Sequence, residues 1–180
     1  MTFVLGGAAS GKSVFAETLA QSGPPPHHYV ATAEALDDEL AERIARHQQR
    51  RDASWLLAEA PRALAPAIDE RQRGTMLVDC MTLWLSNLLL DRQDALAELD
   101  DVLESIRRRE GPTVLVSNEL GLGLVPADPL SRAFREAQGR LNIRIAEVAD
   151  CVLFVAAGLP LGLKGRLPGG SLDGAPLLGR

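Results

Sequence analysis

The sequence predicts an α/β fold, in which a mostly parallel sheet carries helices on both faces. Short apolar runs alternate with stretches of helical periodicity along most of the 180 residues. The hydrophobic fraction is 46% but the aromatic fraction is 4%, so Leu, Val, Ile and Ala build the core, as in sheets buried on both faces. A chain of this length is enough for one domain.

Five apolar runs are predicted to be strands, and a sixth run is a weaker candidate. The five are residues 2–5, 29–32, 75–78, 113–117 and 151–156, and the sixth is residues 54–58. Helical spacing covers residues 12–21, 36–51, 61–72, 81–90 and 94–109. A last helix is predicted after Asp128 and Pro129, which suit its N-cap and N1 positions. Its apolar stripe is Leu130, Phe134, Ala137, Leu141, Ile145 and Val148. His27 and His28, beside three prolines, are predicted to lie in a loop.

Residues 158–180 differ from the rest of the chain, with seven Gly and three Pro among 23 positions and no periodicity. We therefore predict one domain over residues 1–164 and a mobile Gly/Pro-rich tail over residues 165–180.

Composition excludes several classes of function. The net charge is −5 and the basic residues form no long run, which disfavours a nucleic-acid partner. No apolar stretch reaches about 18 residues, so no membrane span is predicted, and no signal peptide is visible. Cys80 and Cys151 stand in apolar runs without CxxC spacing, which predicts two buried free thiols in a reducing cytoplasm.

The strongest motif lies between the first strand and the first helix. It fits GxxxxGK[ST] and consists of Gly6, Gly7, Ala8, Ala9, Ser10, Gly11, Lys12 and Ser13. Glycines let backbone N–H groups turn toward phosphate oxygens, and the following helix N-terminus adds partial positive charge. The chain has two lysines among 19 basic residues. Lys12, as a compact point charge, is predicted to reach the β- and γ-phosphates, and Ser13 to ligate Mg²⁺. The motif predicts a nucleoside triphosphate ligand.

Two carboxylates follow predicted strands and are candidates for the Mg²⁺ site. Asp79 ends the run TMLVD and could hold the ion or its waters, cap the next helix, or do both. Glu119 follows TVLVS at another strand end, where open α/β sheets place their ligands.

A single histidine continues an apolar stripe in the predicted helix over residues 36–51. His47 follows Leu36, Leu40 and Ile44 at helical spacing, which is typical of a packing residue. Nearby guanidinium groups would disfavour its protonation and keep the imidazole nucleophilic. They could clamp phosphates or complement the helix dipole. The arginines concerned are Arg43, Arg46, Arg50 and Arg51.

Five segments together resemble a known family, the bifunctional adenosylcobinamide kinase/adenosylcobinamide-phosphate guanylyltransferases of cobalamin biosynthesis. The segments are GGAASGKS, YVATAEALDDELAERIARHQQRR, LVDCMTLWLSNLL, VLVSNELGLGLVPADPLSRAFREAQGRLNIRIAEVAD and GLPLGLKG. The resemblance runs from residue 3 to about residue 164.

The resemblance implies two reactions with ATP or GTP and Mg²⁺. A nucleoside triphosphate phosphorylates adenosylcobinamide, and GMP then passes from GTP through an enzyme histidine to the phosphorylated product. The matching histidine is His47. It also implies a RecA-like P-loop NTPase fold with three layers, and a homo-oligomer, for which a trimer is expected. The implied guanine-nucleotide contacts are the phosphate loop, Ala31, Thr32, Ala33, Gln48, Gln49, Arg50, Arg51, Glu59 and Asp79.

Three positions depart from some relatives. Ala9 stands where some carry arginine, Arg46 where some carry a second histidine, and Asp79 where glutamate is also found. Two alternatives keep the phosphate loop but leave His47 inert: a small-molecule kinase without guanylyltransferase activity, and a nucleotide-gated binding module.

Overall fold

The computed structural model describes residues 1–34 and 54–166, which contain seven strands and five helices. The strands are β1 (Thr2–Gly6), β2 (His27–Ala31), β3 (Trp55–Glu59), β4 (Thr75–Asp79), β5 (Thr113–Asn118), β6 (Cys151–Ala156) and β7 (Leu159–Lys164). The helices are α1 (Lys12–Gln21), α2 (Leu64–Asp69), α3 (Met81–Leu90), α4 (Ala95–Arg108) and α5 (Pro129–Val148).

The seven strands form one sheet in the order β3-β2-β4-β5-β1-β6-β7. All neighbours are parallel except β6 and β7, which are antiparallel. Strand β5 therefore lies between β1, which leads into the phosphate loop, and β4, which ends at Asp79. This arrangement confirms the predicted RecA-like α/β class with a mostly parallel sheet.

Side chains alternate between two apolar cores, one on each face of the sheet. Val4 packs with Phe15 and Ala16 of α1 on one face. Phe3, on the opposite face, belongs to a larger core that includes residues of α2, α3, α4 and α5. The period-2 alternation of the strands thus produces the predicted three layers. None of the helices in residues 1–34 and 54–166 is long and apolar enough to cross a membrane.

The predicted cap at Asp128 is confirmed, and Asp94 caps a second helix that carried no cap prediction. The Asp94 carboxylate accepts hydrogen bonds from two backbone N–H groups at the start of α4, and that of Asp128 accepts one from Ser131 N at 2.8 Å. The predicted stripe on α5 is correct from its middle onward, where Leu141 and Ile145 are fully buried. Leu130 departs from the stripe because it lies in the first turn, which no core covers, and it is 80% exposed.

The strand boundaries correct several predictions. His27 and His28 belong to β2 rather than a loop, because the chain joins the sheet directly after the prolines. The predicted helix over residues 61–72 shortens to α2. The predicted helix over residues 36–51 lies outside the described residues.

The sequence also missed β7. Hydrogen bonding to β6 stabilises this strand despite Pro160 and Gly162, and an edge strand tolerates proline because one of its sides needs no partner. Residues 159–164 are therefore part of the sheet, at the end of the predicted domain. Residues 167–180, most of the predicted tail, lie outside the described part, so the tail stays a prediction.

Candidate functional site

Backbone hydrogen bonds fix the loop between β1 and α1. Gly6 ends β1, and its carbonyl accepts a hydrogen bond from Glu119 N at 3.1 Å. Ser10 N donates to the Gly7 carbonyl at 3.3 Å. Gly11 is the N-cap of α1 with φ 90°, a left-handed conformation that favours glycine. The segment therefore has the strand, turn and helix that the motif requires.

Lys12 and Ser13 begin α1 directly behind the tip of this loop. Ala8 and Ala9 form the tip and are exposed. The Lys12 side chain is buried, and its Nζ donates to the Gly7 carbonyl at 3.1 Å. The ammonium group therefore lies over the loop, where an anion bound by the loop's N–H groups would also lie.

Asp79 lies at the carboxyl end of β4 and is held in place by a tyrosine. Its Oδ2 atom accepts a hydrogen bond from the Tyr29 hydroxyl at 2.9 Å. The N-cap of α3 is Cys80, which makes no side-chain capping bond, so the prediction that Asp79 caps this helix is wrong. The carboxylate is therefore left at the edge of the sheet where α/β proteins bind ligands.

The charges of Lys12 and Asp79 both act on the buried thiol of Cys80. Burial and then the negative charge of Asp79 raise the pKa of the Cys80 thiol to about 11, while the positive charge of Lys12 acts to lower it. Both charges therefore act on one buried thiol. Helix α1 packs against β4 and β5.

Thr32, a predicted nucleotide contact, is fully buried and engaged by protein atoms. Its hydroxyl donates to the Cys80 carbonyl at 2.7 Å and accepts from Cys80 N at 2.8 Å. Its backbone N–H donates to the Asp79 carbonyl at 3.3 Å, and its own carbonyl accepts from Asn87 Nδ2 at 2.9 Å. Thr32 thus ties the end of β2 to the start of α3.

Strand register places three predicted contacts in one row across the carboxyl edge. Ala31 of β2 pairs with Glu59 of β3 on one side and with Asp79 of β4 on the other. Glu59 is exposed, and Ala31 and Ala33 are half-buried. The parallel sheet therefore collects residues that are about 50 positions apart in sequence.

Ser13 and Asp79 carry the kinds of oxygen atom that Mg²⁺ prefers. Residues 1–34 and 54–166 contain no cluster of three or more His, Cys, Asp or Glu side chains that could hold a metal alone. Mg²⁺ needs no such cluster, because it keeps several waters and binds through one or two protein oxygens together with substrate phosphates. A hydroxyl at a helix N-terminus and a carboxylate at the end of β4 fit that chemistry.

Comparison with known proteins identifies the family. A model described as cobinamide kinase / cobinamide phosphate guanyltransferase matches residues 2–163. The chain belongs to this family. It is 48% identical over 167 residues to the bifunctional adenosylcobalamin biosynthesis protein CobP of Pseudomonas aeruginosa, covering 91% of this chain and 96% of that protein.

Two further relatives cover the same share of this chain. The chain is 37% identical over 181 aligned positions to the bifunctional adenosylcobalamin biosynthesis protein CobU of Salmonella typhimurium, covering 91% of this chain and 99% of that protein. CobU of Escherichia coli is 35% identical with the same coverage. Among solved structures, a type III secretion system ATPase aligns with a TM-score of 0.47 and 12% identity, covering 89% of this chain and 56% of that one.

Family membership makes the chain a nucleotide-using kinase and guanylyltransferase of cobalamin biosynthesis, but part of the predicted site is not described. His47, Gln48, Gln49, Arg50 and Arg51 fall in residues 35–53, outside the described residues. The described part of the site thus consists of the phosphate loop, the Ala31–Glu59–Asp79 row and the loop after β5.

Two arginines of α5 hold the loop after β5, residues 119–128. Arg132 donates to two carbonyls of this loop at 3.0 and 2.6 Å, and Arg135 to two others at 3.1 and 2.5 Å. The Glu119 carboxylate accepts from Gly121 N at 2.5 Å and lines an open cavity of about 280 Å³. Glu119 therefore stands at the carboxyl edge as predicted, but its carboxylate is engaged by its own loop.

Several residues that support the site gave no recognisable sequence signal. Asn118 N donates to Thr82 Oγ1 at 2.8 Å, and the Asn118 carbonyl accepts from Asn142 Nδ2 at 3.0 Å. Ser117 and Gln138 complete this buried polar network behind the end of β5. Thr82 and Asn142 look like ordinary helix residues in the sequence, because their contacts are set by how α3 and α5 pack. A polar residue on an otherwise apolar helix face is the one weak signal.

Proposed function

We propose that this protein performs two successive reactions of cobalamin biosynthesis. A nucleoside triphosphate, ATP or GTP, first phosphorylates the hydroxyl of the aminopropanol arm of adenosylcobinamide. GTP then supplies GMP to the phosphorylated product, which gives adenosylcobinamide-GDP. The match of the family model to residues 2–163 carries this proposal.

The phosphate loop supports the first reaction. The substrate hydroxyl oxygen gives up its proton to water and forms a bond to the γ-phosphorus as the bond between that phosphorus and the β-phosphate oxygen breaks, and the nucleoside diphosphate leaves. Catalysis of this step depends on positioning and on stabilising developing charge. We propose that Lys12, whose Nζ lies 3.1 Å from the Gly7 carbonyl, does the latter.

We propose that Ser13 and Asp79 hold Mg²⁺ with the nucleotide phosphates, where the ion would neutralise phosphate charge. Tyr29 orients the Asp79 carboxylate for this role through its 2.9 Å hydrogen bond. Asp79 is one methylene shorter than the glutamate found in some relatives. The hydrogen bond from Tyr29 limits the directions in which its carboxylate can point.

We assign the guanylyl carrier to His47. Its ring nitrogen attacks the α-phosphorus of GTP, a nitrogen–phosphorus bond forms and pyrophosphate leaves. A phosphate oxygen of the phosphorylated cobinamide then attacks the same phosphorus, and the nitrogen–phosphorus bond breaks. Imidazole suits this task because it is both a competent nucleophile and a good leaving group.

The remaining nucleotide contacts are proposed from family resemblance. They are Ala31, Ala33, Gln48, Gln49, Arg50, Arg51 and Glu59. We give Thr32 a positioning role instead of a direct contact, because its polar groups already bond Asp79, Cys80 and Asn87.

Assembly and location are further parts of the proposal. We propose a homo-oligomer, a trimer by resemblance, and the exposed leucines of β7 offer apolar surface that a subunit contact would cover. They are Leu159, Leu161 and Leu163. A cytoplasmic location is supported by the two buried free thiols, Cys80 and Cys151.

Labelling with GTP that is radioactive at the α-phosphate tests the guanylyl carrier. Purified protein is incubated with this GTP and Mg²⁺ without cobinamide, and we expect protein-bound label that is acid-labile and alkali-stable. The label is expected to disappear in His47→Ala. His27→Ala is the matched control, because His27 lies at the amino end of β2, away from the phosphate loop, and should leave the label intact.

The other outcomes separate the alternatives. Absence of label with intact phosphoryl transfer to adenosylcobinamide would mean a small-molecule kinase in which His47 is inert. Absence of turnover with any acceptor would favour a nucleotide-gated binding module. Label that persists in His47→Ala would place the carrier on another residue.

A further inference from the structure

The turn between β6 and β7, formed by Ala157 and Gly158, has a backbone shape that few residues adopt. Ala157 has φ 51° and Gly158 has φ 77°. Two consecutive positive φ angles are typical of the tight two-residue turns that connect antiparallel strands. Such a turn presents its backbone groups in fixed directions.

This turn contacts the phosphate loop directly. Gly158 N donates a hydrogen bond to the Ser10 carbonyl at 2.8 Å. A Cβ atom on Gly11 would lie 3.0 Å from the Gly158 Cα, and a Cβ on Gly6 would lie 2.6 Å from the Val155 carbonyl oxygen. Both motif glycines therefore pack closely against β6 and its turn.

The hydrogen bond from Gly158 determines the direction of one peptide plane in the loop. The Ser10 carbonyl and the Gly11 N–H belong to the same peptide unit, which is trans. In a planar trans peptide the C=O and N–H bonds point in opposite directions. Because the carbonyl points at the β6–β7 turn, the Gly11 N–H points away from it, back into the loop.

We propose that the backbone N–H of Gly158 is a positioning group for nucleotide binding. It holds the Ser10 carbonyl outward, so that the Gly11 N–H faces the phosphates before the nucleotide arrives. The inference rests on the proposed function of the loop as the phosphate site. It gives Gly158, which directly precedes β7, a positioning part in that site.

Replacing one amide by an ester tests this role with little other change. Glycolic acid at position 158 removes the N–H and keeps the backbone shape. The position of Cys151 allows the protein to be made by ligating a recombinant fragment 1–150 to a synthetic peptide 151–180, since ligation needs an N-terminal cysteine. The all-amide protein made in the same way is the control.

The ester is expected to raise the Kd for GTP with Mg²⁺ about three- to tenfold, because a hydrogen bond that presets the loop is lost. The stabilisation that GTP gives to the thermal unfolding midpoint should fall accordingly. An unchanged Kd, with a lower midpoint in the absence of nucleotide, would mean that the bond serves folding alone and would overturn the inference.

Ala157→Gly distinguishes the N–H from the shape of the turn. This variant keeps the Gly158 N–H and suits the positive φ at position 157, so we expect its Kd for GTP to stay within about twofold of the wild type. A loss equal to that of the ester would assign the effect to turn conformation and contradict the proposal. Failure of the all-amide protein to bind GTP would instead contradict the proposed function.

Discussion

The amino and carboxyl edges of the sheet both collect polar groups, but they use them differently. At the amino edge, the buried Arg109 guanidinium donates to the Thr113 hydroxyl and to backbone carbonyls around the starts of β4 and β5. At the carboxyl edge are the phosphate loop, which includes Lys12 and Ser13, and Asp79 at the end of β4. The donors of Arg109 at the amino edge bond to protein oxygens, whereas the polar groups of the carboxyl edge have the chemistry to hold an anion and a metal.

The difference separates stability from function in this fold. Burial lowers the pKa of Arg109 to about 10, which still leaves its guanidinium charged at neutral pH. A buried cation is tolerated because its donors all find oxygen acceptors. The carboxyl edge also has a buried cation, Lys12, but it lies beside loop backbone and short side chains, because a group that saturated this edge would exclude a ligand. Substitutions at the two edges should therefore have opposite effects on activity and on folding.

Lys12→Arg should give the largest effect and confine it to activity. We expect phosphoryl transfer to fall about a hundredfold or more, because a planar guanidinium cannot replace a compact ammonium beside the phosphates. The thermal midpoint should change little. Lys164→Arg is the matched control, since the other lysine is exposed and donates to carbonyls at the end of α5. Near-normal rates in Lys12→Arg would contradict our account of the loop.

Arg109→Met should give the opposite result. We expect the free energy of unfolding to fall by about 3 kcal/mol, because several buried carbonyls lose their donor. Nucleotide Kd and kcat, measured below the new midpoint, should stay close to those of the wild type. Arg73→Met is the control, because Arg73 lies at the same edge but its side chain is 84% exposed. Equal destabilisation in both variants would mean that the buried hydrogen bonds of Arg109 are not the cause.

Features set by local sequence could be predicted. The phosphate loop has a spacing that its chemistry requires, and the predicted cap Asp128 acts through an N–H group three residues away. The periodicity of strands and helices is also a local property of the sequence, so it predicted the sheet and most of the helices that cover it. Asp79 was found because a strand end in a parallel sheet has a defined place in the fold.

Features set by distant contacts could not be predicted. Thr32 stands in a segment that resembles a nucleotide contact, yet its hydroxyl bonds Cys80, 48 positions away. Strand β7 has little propensity of its own and depends on β6 for its hydrogen bonds. Gly158 acts through its backbone N–H, which no side-chain pattern records. These roles become visible only when the fold brings the partners together.

His28 offers a finer test of the amino edge, through pH. Burial lowers the pKa of His28 below its ordinary value of about 6.5, and the charges of Arg109, Arg71 and His27 act in the same direction, while a hydrogen bond to the Arg73 backbone opposes them. The folded state therefore favours neutral His28. As the pH falls, His28 takes up a proton in the unfolded chain at a higher pH than in the folded protein. The stabilisation of the folded state by neutral His28 is therefore present above about pH 6.5 and is lost as the pH falls through the folded pKa.

His28→Gln keeps a hydrogen-bond donor but cannot take up a proton. We expect its free energy of unfolding to fall less steeply than that of the wild type between about pH 7 and pH 5, as measured by urea unfolding across that range. Carboxylates contribute equally to both proteins, so the difference in slope isolates His28. If the free energies of unfolding of the two proteins changed with pH in parallel, His28 would not be buried as a neutral group. The amino edge would then have no pH dependence of stability from this residue.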